Sequence, residues 1–132
     1  LIFINMSTNN QYIVNALHKL LNSGIIKDIY PMVTNIEISD FNLEEGILNL
    51  TIFVDTPNMT YNTMYDYDFD PFYLVDYHVE RLLPYIGIKI PYVSFDVYRT
   101  DGKYVAGYES NMGKNRHPRM FKHDEEGNKI ED

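Results

Sequence analysis

The chain contains no cysteine and no tryptophan among its 132 residues. Without cysteine it forms no disulfide, holds no metal through thiolates and offers no cysteine nucleophile. No apolar run approaches the roughly 20 residues that span a bilayer, so we expect no transmembrane segment. Residues 1–4 are apolar, but this run is too short for a signal peptide and lacks the basic residues that flank one. We therefore expect an intracellular or virion location.

Positive charge is missing from a long part of the chain, whose formal net charge is -8. No Lys or Arg occurs between Lys27 and Arg81, and this stretch contains eleven Asp and Glu residues. The charge balance is reversed in residues 114–122, which carry two Lys and two Arg and no acid. That segment can bind phosphates weakly and in a salt-dependent way, remain a solvated tail, or dock on an acidic face of a neighbouring protein.

The usual catalytic signatures are also missing from the sequence. It has no glycine-rich phosphate loop, no zinc-protease helix motif and no Ser-His-Asp order, so we predict no catalytic residue, cofactor or metal ligand. Asp66, Asp68 and Asp70 alternate as in a calcium loop, where closely spaced oxygens surround a hard cation. Position six of such a loop is here Pro71 instead of Gly, and position twelve is Tyr77 instead of Glu.

Asp76 and Glu80 lie one helical turn apart on a predicted helix. Two carboxylates at this spacing can share a metal ion or act as an acid and a base. The simpler interpretation is that they form the solvated side of an amphipathic helix. A carboxylate metal-dependent enzyme therefore stays as the second alternative function.

Hydrophobic periodicity predicts an α+β fold. Five stretches are predicted to be strands. Residues 32–39, 47–55, 61–69 and 92–99 alternate with period two, which is typical of strands, and residues 103–108 follow the hairpin turn signal at residues 101–102. Helical spacing occurs at residues 13–21 and 71–83, the second with Asp and Pro at its start and Pro84 at its end. We predict two layers, an antiparallel sheet of about four to five strands with two helices on one face, in the order α-β-β-β-α-β-β. Residues 1–108 form one domain, and residues 109–132 form an extended, mixed-charge C-terminal tail.

Residues 61–69 are the most distinctive of these predicted strands, because tyrosines and aspartates alternate along them. A strand here would pack its aromatic side against the protein or a partner and leave a row of carboxylates exposed, since unpaired buried carboxylates are costly. Tyrosine is common in protein interfaces because it buries a large ring and keeps a polar hydroxyl. The residues predicted to bind a partner are Tyr65, Asp66, Tyr67, Asp68, Asp76, Glu80, Arg116, Arg119 and Phe121.

The predicted element order is similar, by analogy of layout alone, to that of two protein classes. Double-stranded RNA-binding domains share its first five elements, but they need basic residues at the start of the second helix. Residues 70–76 contain no Lys or Arg, so direct nucleic-acid binding is expected only weakly, through residues 114–122. Small phage tail and connector subunits also share the layout.

These observations together favour binding over catalysis. The first hypothesis is a non-enzymatic structural or adaptor subunit of a larger assembly, including virus and phage particles, that binds other protein subunits in a homo- or hetero-oligomer. The alternative is an acidic decoy that blocks a basic, nucleic-acid-binding partner. A long stretch that contains many Asp and Glu residues and no Lys or Arg would attract such a partner electrostatically.

Overall fold

The computed structural model describes residues 2–90, 93–110, 118–123 and 129–130. Two helices come first, α1 (Ile2–Leu21) and the short α2 (Gly24–Lys27), followed by strands β1 (Val33–Asn42) and β2 (Ile47–Val54). A connection with several helical turns then leads into the rest of the sheet. The connection consists of a 3-10 helix (Met64–Tyr67), α3 (Pro71–Tyr73), a π-helix (Leu74–Val79), α4 (Glu80–Leu82) and a second 3-10 helix (Leu83–Ile86). The later strands are β3 (Ser94–Arg99), β4 (Tyr104–Ser110), β5 (Pro118–His123) and β6 (Lys129–Ile130).

Alternation along β2 places its apolar side chains on one face of the sheet. Leu48, Leu50, Ile52 and Val54 are buried, whereas the residues between them are only partly buried. Leu17 and Leu21 of α1 are fully buried in the same core cluster, as are Val75 and Val79 of the second helical region. Both helical regions therefore cover one face of one sheet, which confirms the predicted α+β fold.

The outer edge of β1 is bonded to a side chain from the end of α1. Asn22 Nδ2 donates a hydrogen bond to the Ile36 carbonyl oxygen at 2.9 Å. Asn22 Oδ1 accepts one from the Ile36 amide, also at 2.9 Å. One side-chain amide thus bonds both backbone groups of Ile36, as a neighbouring strand would.

The predicted wholly antiparallel sheet is wrong at one pair of strands. β2 and β3 pair in parallel, with Leu50 opposite Phe95 and Ile52 opposite Val97, whereas β1 with β2 and β3 with β4 are antiparallel. In its described residues, the connection between β2 and β3 contains helical turns and no strand. Such a crossover returns the chain in its original direction, so β3 enters the sheet parallel to β2.

Residues 61–69 form turns and a 3-10 helix, so the predicted third strand is wrong. Thr63 Oγ1 accepts a hydrogen bond at 2.9 Å from the backbone amide three residues earlier, and Asp68 has a left-handed backbone with φ 57°. Short polar side chains that bond to nearby backbone compete with strand pairing. Met64 and Phe69 are both fully buried, although period two would place them on opposite faces.

Residues 71–86 form a continuous run of helical turns that begins where the sequence predicted. Asp70 Oδ1 accepts hydrogen bonds from the backbone amides of Phe72 at 3.0 Å and Tyr73 at 3.1 Å. Pro71 occupies the first helical position, where its missing N–H removes no helical hydrogen bond. This N-cap therefore fixes the orientation of the first helical turn, which carries Tyr73.

The helical run continues past its predicted end at Pro84. Leu83 to Ile86 form a 3-10 turn that contains Pro84 near its start, and Gly87, with φ 75°, ends it. Proline fits the start of such a turn, because the backbone N–H that it lacks would have no hydrogen-bond partner within the helix there. Glycine is the residue that adopts positive φ at low cost.

The sheet continues beyond β3. Among the described residues, its six strands lie in chain order from β1 to β6, and Gly102, with φ 94°, stands in the predicted turn between β3 and β4. β5 pairs antiparallel with β4, and β6 pairs with β5. The predicted boundary after residue 108 falls inside β4, which runs to Ser110.

Candidate functional site

The predicted binding residues Tyr65 and Tyr67 lie on the 3-10 helix and are exposed by 57 % and 38 %. Asp66 and Asp68, between and after them, are also exposed. The helical turn therefore presents rings and carboxylates together, whereas a strand would have separated them onto two faces. Burial and the nearby charge of Asp70 raise the pKa of Tyr65, so its hydroxyl stays protonated and can donate a hydrogen bond.

An aromatic stack that the sequence prediction missed lies on the next helical turns. The rings of Tyr73 and Tyr77 are 4.8 Å apart with an interplanar angle of 8°, and the Arg81 guanidinium carbon lies 4.2 Å from the Tyr77 ring centroid. Tyr73 remains 49 % exposed and Tyr77 42 % exposed. The stack therefore forms an open surface of two rings and one cation, without burying either ring in the core.

The spacing of these three residues explains why they meet. Tyr73, Tyr77 and Arg81 recur every four residues, so they follow one side of a helix. The π-helical residues Leu74–Val79 lie within this run, and π turns are rare and often found at functional sites. A π turn is wider than an α turn, so the angle around the helix axis between side chains four residues apart is different. Here the rings of Tyr73 and Tyr77 lie face to face.

His78 supports the stack from the protein side. Its ring contacts Tyr73 and Tyr77 edge-on, at centroid distances of 5.4 Å and 5.0 Å. It also contacts the buried Tyr30 ring at 5.8 Å. His78 thus connects the exposed rings to the core.

Asp76 and Glu80 also lie four residues apart on these turns. Burial, followed by the charge of Asp76 and a hydrogen bond to it, raises the pKa of Glu80 to about 7. Glu80 lines a cleft of about 170 Å³ with four apolar residues and one lysine: Leu83, Pro84, Ile88, Ile90 and Lys89. Glu80 is therefore partly protonated near neutral pH.

We define the tyrosine surface as Tyr65, Tyr67, Tyr73 and Tyr77. Carboxylates flank it along the chain, since Asp66, Asp68 and Asp76 are all exposed. Tyr65 lies close enough to Asp70 for that charge to affect its pKa, and Asp70 in turn caps the helix that carries Tyr73. The surface combines rings, hydroxyl groups and negative charge.

A second polar feature lies on the sheet face opposite the helices. Tyr104 Oη donates a hydrogen bond to Asp96 Oδ1 at 3.0 Å, directly over Gly107, where a Cβ would overlap the Tyr104 hydroxyl. Burial, and then the Asp96 charge, raise the pKa of Tyr104 far above its usual value. Tyr104 is 5 % exposed, so this bond is part of the packing.

A shallow groove of about 300 Å³ crosses the same face. Its wall includes the Ser39 hydroxyl, which lies 2.9 Å from the Thr51 hydroxyl. Carboxylates of Asp40, Asp96 and Glu109 also line it. Among the described residues, no group of three or more His, Asp or Glu side chains is arranged to hold a metal ion.

Of the remaining predicted binding residues, Arg119 and Phe121 lie on β5. Arg119 pairs in register with Glu109 of β4, and Phe121 pairs with Gly107. Arg116 lies outside the described residues.

Comparison with protein-family models, curated proteins and solved structures found no match for this chain. No helix in the described ranges is long and apolar enough to cross a membrane.

Proposed function

We propose that this protein is a non-enzymatic structural or adaptor subunit of a larger protein assembly, and that the tyrosine surface is its contact site. The observation that carries this proposal is the exposed stack of Tyr73, Tyr77 and Arg81. Rings and guanidinium groups are the side chains most enriched where protein interfaces gain their binding energy.

The arrangement of the surface supports a binding role. Its rings are held by their neighbours, because Asp70 caps the helix and His78 contacts both stacked tyrosines. Side chains that are already ordered lose less conformational entropy when a partner binds. Tyrosine also keeps its hydroxyl available for hydrogen bonds at the rim of an interface.

The test is the mass of the full chain, measured by light scattering during size-exclusion chromatography over a range of concentrations. We expect oligomers for the wild type, and a lower mass for Y73S/Y77S at every concentration. The matched control is Y12S, because Tyr12 is 75 % exposed on α1 and lies outside the tyrosine surface. A wild type that is monomeric throughout and behaves as Y73S/Y77S does would contradict the proposal.

The acidic decoy is the second candidate function, and the exposure of the carboxylates supports it. Of the eleven acids between Lys27 and Arg81, nine are exposed: Asp28, Glu37, Asp40, Glu44, Glu45, Asp55, Asp66, Asp68 and Asp76. A decoy would compete with DNA for a basic DNA-binding protein, and the competition would weaken steeply with added salt. Competition that is unchanged between about 50 mM and 500 mM salt would argue against this function.

A further inference from the structure

The tyrosine surface lies in a part of the chain that has many carboxylates and a single Lys or Arg. Within residues 28–88 that one residue is Arg81, whereas Asp66, Asp68 and Asp76, which flank the rings along the chain, are all exposed. Exposed carboxylates attract cations and repel phosphate groups and other anions. The charge of this surface therefore favours a partner that carries positive groups.

Arg81 shows how this surface holds a positive group. It is exposed, and its guanidinium carbon lies 4.2 Å from the Tyr77 ring centroid. Among the described residues, no carboxylate forms an ion pair with it. The contact is therefore a cation–π interaction, in which the negative face of the ring attracts the guanidinium group.

Tyr73 has open ring surface at the other end of the same stack. Tyr77 covers one of its faces, with 4.8 Å between the ring centroids, and His78 contacts it edge-on at 5.4 Å. Nevertheless, Tyr73 remains 49 % exposed. A guanidinium group is planar and more weakly hydrated than an ammonium group, so it stacks on such a ring more readily than lysine does.

We propose that the tyrosine surface binds an arginine-containing segment of the neighbouring subunit. One incoming guanidinium group stacks on the open part of Tyr73, and further positive charge lies beside Asp66 and Asp68. This inference rests on the proposed function, since it names the chemistry of the partner at the same surface. It combines two attractions, because the rings favour arginine over lysine and the carboxylates favour any cation.

The first test is a calorimetric titration of the full chain at about 50 mM salt with two blocked octapeptides. One peptide alternates glycine and arginine, and the other alternates glycine and lysine, so that both carry the same charge. We expect the arginine peptide to bind at least about threefold more tightly, because its guanidinium groups stack on the rings. Equal affinities would show that charge alone attracts the peptides, which overturns the proposal.

The second test removes the stacked rings. Y73S/Y77S should weaken binding of the arginine peptide about tenfold, because two exposed rings that attract a cation are lost. Y73F/Y77F keeps the rings without their hydroxyl groups, so it should recover most of this loss. The control is Y12S, since Tyr12 is 75 % exposed on α1 and lies outside the tyrosine surface. Equal weakening by Y12S and Y73S/Y77S would contradict the assignment of the site.

The third test locates the charge that contributes to binding. D66N/D68N removes two exposed carboxylates between and beside the rings of Tyr65 and Tyr67, and we expect it to weaken binding of the arginine peptide severalfold at about 50 mM salt. E44Q/E45Q removes the same charge from the turn between β1 and β2, where both residues are exposed. Its effect should be clearly smaller. Equal effects would mean that the net charge of the chain attracts the peptide, and not this surface.

The outcomes distinguish this inference from the proposed function. If Y73S/Y77S lowers the mass of the assemblies while the arginine peptide binds wild type and variant equally, the tyrosine surface remains a contact site and its partner is not an arginine-containing segment. If the peptide binds as expected but Y73S/Y77S leaves the mass unchanged, the surface recognises arginine and the proposed assembly contact is wrong.

Discussion

Gly107 shows how one absent side chain determines the packing of the open sheet face. The sequence predicts strands at β3 and β4, but it does not predict that Tyr104 reaches across to Asp96. The hydrogen bond between them, 3.0 Å long, occupies the space above Gly107. Only a residue without Cβ leaves that space open.

We predict that G107A lowers the free energy of unfolding by about 1–3 kcal/mol, which is typical of overpacking. The added Cβ would overlap the Tyr104 hydroxyl and lie 2.6 Å from Asp96 Oδ1. Urea denaturation measures the change. Y104F removes the hydroxyl, so the loss from G107A should be smaller in the Y104F background than in the wild type. Equal losses in both backgrounds would show that the hydroxyl is not the obstacle.

At the scale of elements, α1 and β1 are connected through Asn22. Ile36 faces the outer edge of β1 with its amide and carbonyl, and the Asn22 side chain bonds both. Exposed strand edges are prone to pair with other chains, and covering them is a common protection. The residue directly after α1 therefore contributes a polar side chain to the sheet edge, and α1 itself contributes Leu17 and Leu21 to the core.

We predict that N22A lowers the free energy of unfolding by about 1–2 kcal/mol, because two hydrogen bonds to Ile36 are lost. Thermal and urea denaturation both report this change. N15A is the control, since Asn15 is exposed on α1 and bonds only to the nearby side chain of Gln11 among the bonds of the described residues. It should change stability by less than about 0.5 kcal/mol. Equal effects of the two substitutions would rule out a special role for Asn22.

For the whole molecule, an excess of acids makes folding stability depend on pH, and Glu80 has the clearest effect. Its pKa is about 7 in the folded protein, compared with an ordinary value of 4.5. The folded protein therefore binds a proton more readily than the unfolded chain between these values. Stability falls as the pH rises through this window, because the native state must then ionise a half-buried carboxyl group.

We predict that E80Q flattens this dependence and raises the free energy of unfolding at pH 8 by about 1 kcal/mol, a figure reduced for the partial exposure of the group. Below the ordinary pKa the two proteins should have similar stability, since Glu80 is then protonated in both states. Denaturation at several pH values tests this, with E45Q as an exposed control in the turn between β1 and β2. Parallel pH profiles for wild type and E80Q would disprove it.

The sequence by itself determined the α+β class, the helix start at Asp70 and Pro71, the apolar face of β2 and the concentration of acids before Arg81. These depend on neighbouring residues, through side-chain period, capping and charge. Tertiary structure alone decided that residues 61–69 turn instead of pairing, that β2 and β3 run parallel, and that Gly107 lies beneath Tyr104. Each of these depends on which distant segment of the chain packs against the residues concerned. Local periodicity shows which side of a strand or helix is apolar, but it does not show which segment covers that side.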